Sequence, residues 1–320
     1  MSYAIKKYHS INQWDAFVSQ SPQGSVFCLS AFLNALLVEW EGIFITENGV
    51  PLMGAVLLMK EGKVLKAPYP FTIYQGVMLD GSFATMPHHR RSKLIPELEE
   101  FLLAHLSVRY EQLSFCMHHA FEDLRGFQWF NYHNNGGGQF SFDLRYTGLI
   151  DLKNYLTLDD YVACIRSVRR QEYRKGLNGN FTIETSNDVD CFDELHRKTF
   201  ERQGIERSAQ EALLFRSITR AMLESGMGEL LFCRTPTGEV ASATLFLYDR
   251  KAGYNLYTAN DPVFRKTGCS TFLMVENFMR CKQKKLEWLD VVGINSPQRG
   301  DFKTSMNARP VPYFIITWKK

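Results

Sequence analysis

One order of elements can be read twice along this chain of 320 residues: a strand hairpin, a third strand, a helix and a further strand. In the first half, apolar periodicity predicts helices over 11–17 and 30–38, then strands near 42–46, 52–59 and 72–79. A helix at about 91–106 and strands at 112–117 and 139–144 follow. In the second half, helices near 158–175, 190–201 and 209–225 precede strands at 229–234, 241–248 and 253–259. A helix over 270–284 and strands at 287–292 and 312–318 complete it. A period of about 150 residues marks a duplicated domain and not a solenoid. A chain of 320 residues is also at the upper limit for one hydrophobic core. The expectation is an α/β chain (α+β mixed sheets) of two domains, 1–150 and 151–320, each a twisted mixed sheet flanked by helices. The boundary is set near Leu149 to Leu152, where strands give way to helices. Asn134-Asn135-Gly136-Gly137-Gly138 reads as a loop, and Thr237-Gly238-Glu239 as a hairpin turn.

The stretch with most chemical content is Asp261-Pro262-Val263-Phe264-Arg265-Lys266-Thr267-Gly268-Cys269-Ser270, between a strand and an amphipathic helix. Glycine lets the backbone turn sharply and approach a ligand. The first helical N–H groups lack partners, and the helix dipole favours negative charge there. Arg265 adds a bidentate phosphate donor. Arg265, Lys266, Thr267, Gly268, Cys269 and Ser270 are therefore candidate anion-binding residues, although Ser270 also suits a plain helix cap. The corresponding place in the first half, Gly81-Ser82-Phe83-Ala84-Thr85-Met86-Pro87-His88-His89-Arg90, has no such pattern.

Charge distribution agrees with an anionic ligand in the second half. Residues 1–150 hold 11 Lys/Arg against 13 Asp/Glu, net −2, whereas 151–320 hold 26 against 21, net +5. The overall +3 is too small to imply nucleic-acid binding by itself. A second candidate site is Asp290-Val291-Val292-Gly293-Ile294-Asn295-Ser296-Pro297-Gln298-Arg299-Gly300-Asp301-Phe302-Lys303, a carboxylate at a strand end followed by a Gly/Pro loop. Asp290 has the chemistry of a general base, and Lys303 that of a holder of a carboxylate or phosphate. A third is the basic stripe Arg166, Arg169, Arg170, Tyr173, Arg174 and Lys175, which reads equally as a solvated helix end. The pairs His88/His89 and His118/His119 lack metal-ligand spacing, so no metal is expected. Cys269, with no recognisable base beside it, reads as a packing residue.

Met1-Ser2-Tyr3-Ala4-Ile5-Lys6-Lys7 has no apolar run after its charges, and no signal peptide is expected. The longest apolar run, 52–59, falls far short of the roughly 20 residues a membrane-spanning helix needs. Seven cysteines without a C-x-x-C pair fit reduced thiols, which makes the cytoplasm the expected location.

Element order and loop together resemble the GNAT N-acyltransferases, whose pyrophosphate loop reads (Arg/Gln)-x-x-Gly-x-(Gly/Ala) between a strand and a helix. This chain departs only in placing Ser270 at the last small position. The stretches Ser21-Pro22-Gln23-Gly24-Ser25-Val26-Phe27, Arg169-Arg170-Gln171-Glu172-Tyr173-Arg174-Lys175-Gly176, 264–274 and 290–303 are similar to the FemAB-like branch, with two GNAT units in tandem. The resemblance implies transfer of an acyl group from acyl-coenzyme A to a primary amine on a small molecule or peptide, with the pyrophosphate on the 265–270 loop. It places oxyanion-holding backbone N–H groups near Tyr257 and Ala259. It also puts Lys303 in the lining of the substrate site and Arg169 and Tyr173 at the acceptor; transfer to an ammonium group needs a base, for which Asp290 is the candidate. Fem peptidoglycan-bridge enzymes use aminoacyl-tRNA instead, which is the alternative donor. Their coiled-coil arm would need a long charged heptad insertion that this chain lacks. A non-catalytic binding protein built on a degenerate GNAT pair is the third reading.

Overall fold

The computed structural model describes residues 3–133 and 137–320. Residues 134–136 of the expected Asn/Gly loop lie outside them. Contacts divide the chain into two units: Met1–Arg145 with Pro312–Lys320, and Tyr146–Val311.

The first unit opens with β1 (Tyr3–Lys7) and α1 (Ile11–Gln20), followed by the short α2 (Ser30–Asn34). Ser10 caps α1 by accepting from the Gln13 N–H. Strands β2 (Glu39–Glu47) and β3 (Val50–Lys60) form a hairpin, with β1 on the outer edge of β2. β4 (Lys63–Val64) and β5 (Val77–Leu79) both pair antiparallel with β3. Helix α3 (His88–Arg109), strand β6 (Gln112–Cys116) and helix α4 (Arg125–Trp129) follow, and β7 (Ser141–Asp151) leads out of the unit. The apolar face of α3, with Leu98, Leu102 and Leu106, packs with Ile43, Met53, Ala55 and Leu57 of the sheet in one buried core. The expected strand over 72–79 shrinks to three residues. Phe71 and Tyr74 take left-handed backbone angles, φ 65° and 59°, which strand geometry does not tolerate.

Glu99 is the polar exception in that core. It is fully buried, and its Oε2 accepts from the Gly126 N–H at 2.7 Å while Oε1 has no partner. Burial, reinforced by Asp123 and Glu100, pushes its carboxyl up to about 9 against the pull of Gly126 and Arg125. A carboxyl raised in the folded state contributes fully below its unfolded pKa near 4.5 and loses that contribution as pH rises toward 9. Glu99→Gln is therefore expected to raise stability at pH 7 by roughly 2–3 kcal/mol and to flatten the decline over that window. Urea titrations at pH 5 and pH 8 check both points.

The second unit starts with α5 (Leu158–Cys164) and α6 (Ser167–Asn178), then β8 (Thr182–Ser186), α7 (Val189–Glu201) and α8 (Ala209–Glu224). The single helix expected over 158–175 is thus two helices, broken at Ile165 and Arg166. Both α5 and α8 open on complete capping boxes, Thr157 with Asp160 and Ser208 with Glu211. β9 (Gly228–Arg234), β10 (Val240–Tyr248) and β11 (Ala252–Asn260) form an antiparallel meander, with β8 on the outer edge of β9. Helix α9 (Cys269–Gln283) then crosses over to β12 (Trp288–Asp290), which runs parallel to β11. β12 also pairs antiparallel with the end of β7, Leu289 facing Ile150.

Helix α10 (Pro297–Ser305), within the segment read as a Gly/Pro loop, precedes β13 (Arg309–Lys319). The last residues of β13 pair with β6, Ile315 facing Cys116, so the chain's end returns to the first unit. The expected boundary was at residue 150. Both units carry sheets flanked by helices, but only the second is mixed, where the α9 crossover sets β12 parallel to β11; β1–β5 of the first unit pair antiparallel throughout, where a mixed sheet was expected. No helix among the described residues is long and apolar enough to cross a membrane.

Candidate active site

The carboxyl ends of β11 and β12 define the site. Their parallel pairing runs from Ala252/Trp288 to Tyr254/Asp290 and stops, while β11 continues six residues to Asn260. Parallel strands that part at their carboxyl ends open a crevice, the usual place for a ligand in such sheets. β11 is also bulged there: Leu245 faces Tyr257 and Phe246 faces Asn255, so Leu256 is extra. Tyr257 and Ala259, expected near the oxyanion, lie on this continuation with buried side chains.

Beyond β12 the backbone turns sharply. Val292 has φ 55°, a left-handed conformation that a β-branched residue rarely adopts, and Gly293 follows at φ 25°. Two side chains hold this turn. Asp290 Oδ1 accepts from the Val292 N–H at 2.7 Å and from the Thr147 hydroxyl at 2.5 Å. Lys303, on α10, donates from Nζ to the Val292 carbonyl at 3.1 Å. Asp290 is buried and Lys303 half-buried. Burial first, then the nearby Arg299 charge, lowers the Lys303 ammonium to about 8, with Asp290 opposing. The two residues singled out at this segment thus hold the two peptide groups that flank one strained residue, Val292. Thr147, their third partner, carries no sequence signal, because its position follows only from the pairing of β7 with β12.

The 265–270 loop has the backbone its spacing implies. Gly268 takes φ 89° and is the N-cap of α9, without a side-chain cap. A Cβ there would come within 2.6 Å of the Glu172 carbonyl oxygen, so even alanine would not fit. Arg265 and Lys266 are exposed, and neither side chain meets a carboxylate among the described residues. Thr267 donates its hydroxyl to the Phe264 carbonyl at 2.6 Å. Ser270 is not the cap, since its hydroxyl donates to Asn260 Oδ1 at 2.5 Å. Cys269 is buried, and burial pushes its thiol up, as suits a packing residue.

Helix α6 lies against the head of α9. Gly176 faces the Phe272 ring, where a Cβ would be 2.9 Å away, and Tyr173 packs on the same ring at 5.6 Å between centroids. This close approach brings the Glu172 carboxylate to the first turn of α9, where Oε2 accepts from the Thr271 hydroxyl at 2.5 Å and from Arg169 at 2.6 Å. Arg169 also donates to the Ser305 hydroxyl and lies over the Phe302 ring at 4.7 Å.

Two more members of the basic stripe are engaged within the unit, while Arg174 and Lys175 stay exposed. Arg166 pairs with Asp301, and Arg170 caps the end of α5 through the carbonyls of Ala163 and Ile165. Arg169 and Tyr173 therefore reach α10 and α9. Glu172, whose carboxylate reaches the first turn of α9, stood inside the quoted stretch, but nothing in the spacing gave its direction.

Residues 163–304 match the family described as acetyltransferase (GNAT) domain. Among solved structures, FemX aligns over 98% of this chain and 97% of its own, with TM-score 0.72 and 15% identity. L-PGS from Bacillus licheniformis aligns over 97% and 92%, with TM-score 0.57 and 12% identity. A tandem GNAT protein from the clavulanic acid biosynthesis pathway aligns over 99% and 98%, with TM-score 0.53 and 11% identity. No curated protein matches the chain by sequence. Likenesses at these identities carry the fold: two GNAT-like domains in tandem.

Proposed function

We propose that this chain, an acyltransferase of the GNAT family in its FemAB-like tandem branch, moves an acyl group from acyl-coenzyme A to a primary amine. The observation that carries the donor assignment is the pair of exposed cations, Arg265 and Lys266, beside left-handed Gly268 at the head of α9. That loop leaves the open end of β11 directly. The pyrophosphate sits on the loop and the first N–H groups of α9. The pantetheine amides pair along β11 beyond Tyr254, as an added strand would.

The acceptor amine attacks the thioester carbonyl, the carbon–sulfur bond breaks, and coenzyme A leaves as the thiol. The amine's proton passes to Asp290 directly or through water. The Lys303 ammonium, with backbone N–H groups of β11 near Tyr257 and Ala259, offsets the oxyanion. Arg169 and Tyr173 face the acceptor, a small molecule or a peptide. The seven cysteines are free thiols, which suits a reducing cytoplasm.

One observation favours aminoacyl-tRNA as donor instead: the Glu172 carboxylate already occupies the first turn of α9 and lowers its attraction for a pyrophosphate. Calorimetric titration with coenzyme A separates the two. The coenzyme A reading expects binding that weakens at least tenfold when Arg265 and Lys266 are both alanine and tightens in Glu172→Gln. No binding of coenzyme A or acetyl-coenzyme A at millimolar concentration overturns it. Steeply salt-dependent binding of aminoacyl-tRNA in the same protein would then establish the second.

A further inference from the structure

We propose that the first unit holds a second small-molecule site, independent of the acyl-transfer site, which takes an organic anion with an apolar body. A cavity of about 870 Å³ opens there between the end of β5, the turn Gly81–Ala84, the first turns of α3 and the segment after β6. A concavity of several hundred Å³, mostly apolar with a few polar groups, is the usual form of a ligand site.

The walls are built and held. Phe83, Phe121 and Ile95 are buried residues that contribute the apolar lining. Gln23 ties two walls together: its Oε1 accepts from the Leu79 N–H at 3.0 Å, and its Nε2 donates to the Ala120 carbonyl at 3.1 Å. Arg125 is consumed as structure, donating to Asp123 at 2.8 Å and to the Ser92 carbonyl at 2.6 Å. That pairing neutralises Asp123, and Glu122 stays exposed at the rim.

Arg91 is the arginine left over. It lines the cavity, and its guanidinium meets no carboxylate among the described residues. Its place is electrostatically costly. The first turn of α3 reads His88-His89-Arg90-Arg91, with no acid and with Pro87 at the N-cap giving no side-chain bond. Cations at the positive end of a helix dipole are unfavourable. Local rules broken without internal compensation mark functional positions. An anion in the cavity supplies the compensation, meeting Arg91 and the uncapped N–H groups while its apolar part covers the phenylalanines. In the chain's internal repeat this is the place of the 265–270 loop. The first unit lacks the glycine turn there and carries its cations on the helix itself.

Fluorescence titration of the full chain with 8-anilinonaphthalene-1-sulfonate, an aromatic anion, tests the proposal. One saturable site is expected, weakened about tenfold by Arg91→Ala and removed by Ala84→Trp, which fills the mouth from an exposed position. Octanoate should displace the probe and octylamine should not, and Arg265→Ala should leave the titration unchanged. Binding that is insensitive to both first-unit variants, lost in Arg265→Ala, or displaced equally by octylamine overturns it.

Discussion

Replacing Lys303 by methionine is expected to lower kcat/KM for acyl transfer at least a hundredfold and to abolish an alkaline limb centred near pH 8. The ammonium lowered to about 8 by burial and by Arg299 stays mostly protonated at neutral pH. The wild-type rate should therefore fall as pH rises through 8, when the charge proposed to offset the oxyanion is lost. A hundredfold loss is about 2.7 kcal/mol of transition-state stabilisation, typical for one preorganised donor.

Stability should move the other way. A lysine with a folded pKa below its unfolded value of 10.5 resists protonation in the folded state. Its penalty is absent above pH 10.5, grows by about 1.4 kcal/mol per unit as pH falls to 8, and is constant below. Water reaching the half-buried ammonium, and the Val292 carbonyl left unpaired in the variant, reduce what methionine recovers. A gain of ~1–2 kcal/mol at pH 7 is the expected net, a few degrees in Tm. Loss of activity with gain of stability distinguishes a reacting group from a structural one. A variant that keeps its activity, or an alkaline limb that persists in it, removes Lys303 from the mechanism.

What could be read from sequence divides along a physical line. The meander β9–β11 and helix α9 were legible because their apolar residues repeat at the period of the element they form. Helix α10 was not, since Gly300 and Pro297 read as loop residues. Ser296-Pro297 is nonetheless a helix-start signature, with proline at the first helical position. The break between α5 and α6 was hidden because it is made by tertiary bonds, Arg170 to the end of α5 and the Arg166 N–H to the Ser305 carbonyl.

At the site, the 265–270 loop was legible because its glycine is a backbone requirement written in the residue itself. Lys303 and Asp290 were nameable as residues but not as a pair around Val292, since a left-handed valine leaves no mark in a sequence. Glu172 at the head of α9 depends on a helix contact made through Gly176 and Gly268. Two glycines 92 positions apart reveal nothing of each other until the chain is folded.

The largest stability effect is expected at a buried ion cluster no motif pointed to. Arg207, between α7 and α8 and almost fully buried, donates to Asp193 on α7 at 2.5 Å and to His196 Nδ1 at 2.7 Å. Asp193 also accepts from Arg216 on α8 at 2.8 Å. The His196 ring stacks on Phe215 with centroids 4.1 Å apart. Burial, and secondarily Arg207, lowers the imidazole to about 3, so it stays neutral and accepts a hydrogen bond from the guanidinium at Nδ1. Arg207→Met leaves Asp193 buried with one arginine, half exposed, instead of two. Breaking a buried pair from one side costs about 3–5 kcal/mol, far more than the pair's net worth. Arg207→Met should therefore lose about 3–5 kcal/mol in urea unfolding, and adding Asp193→Leu should restore much of it by removing the stranded charge. His196 sets the acid side: with its folded pKa below the unfolded 6.5, stability declines as pH falls from 6.5 toward 3 in wild type. A loss below 1 kcal/mol, or a double variant no better than the single one, would mean that solvent reaches the cluster. Because His196 lies 5.9 Å from Tyr257 on β11, the same substitution should also reduce acyl transfer more than its effect on the folded fraction accounts for. The bulged strand proposed to receive the acyl group rests on this cluster from one face, and its register is only as firm as that support.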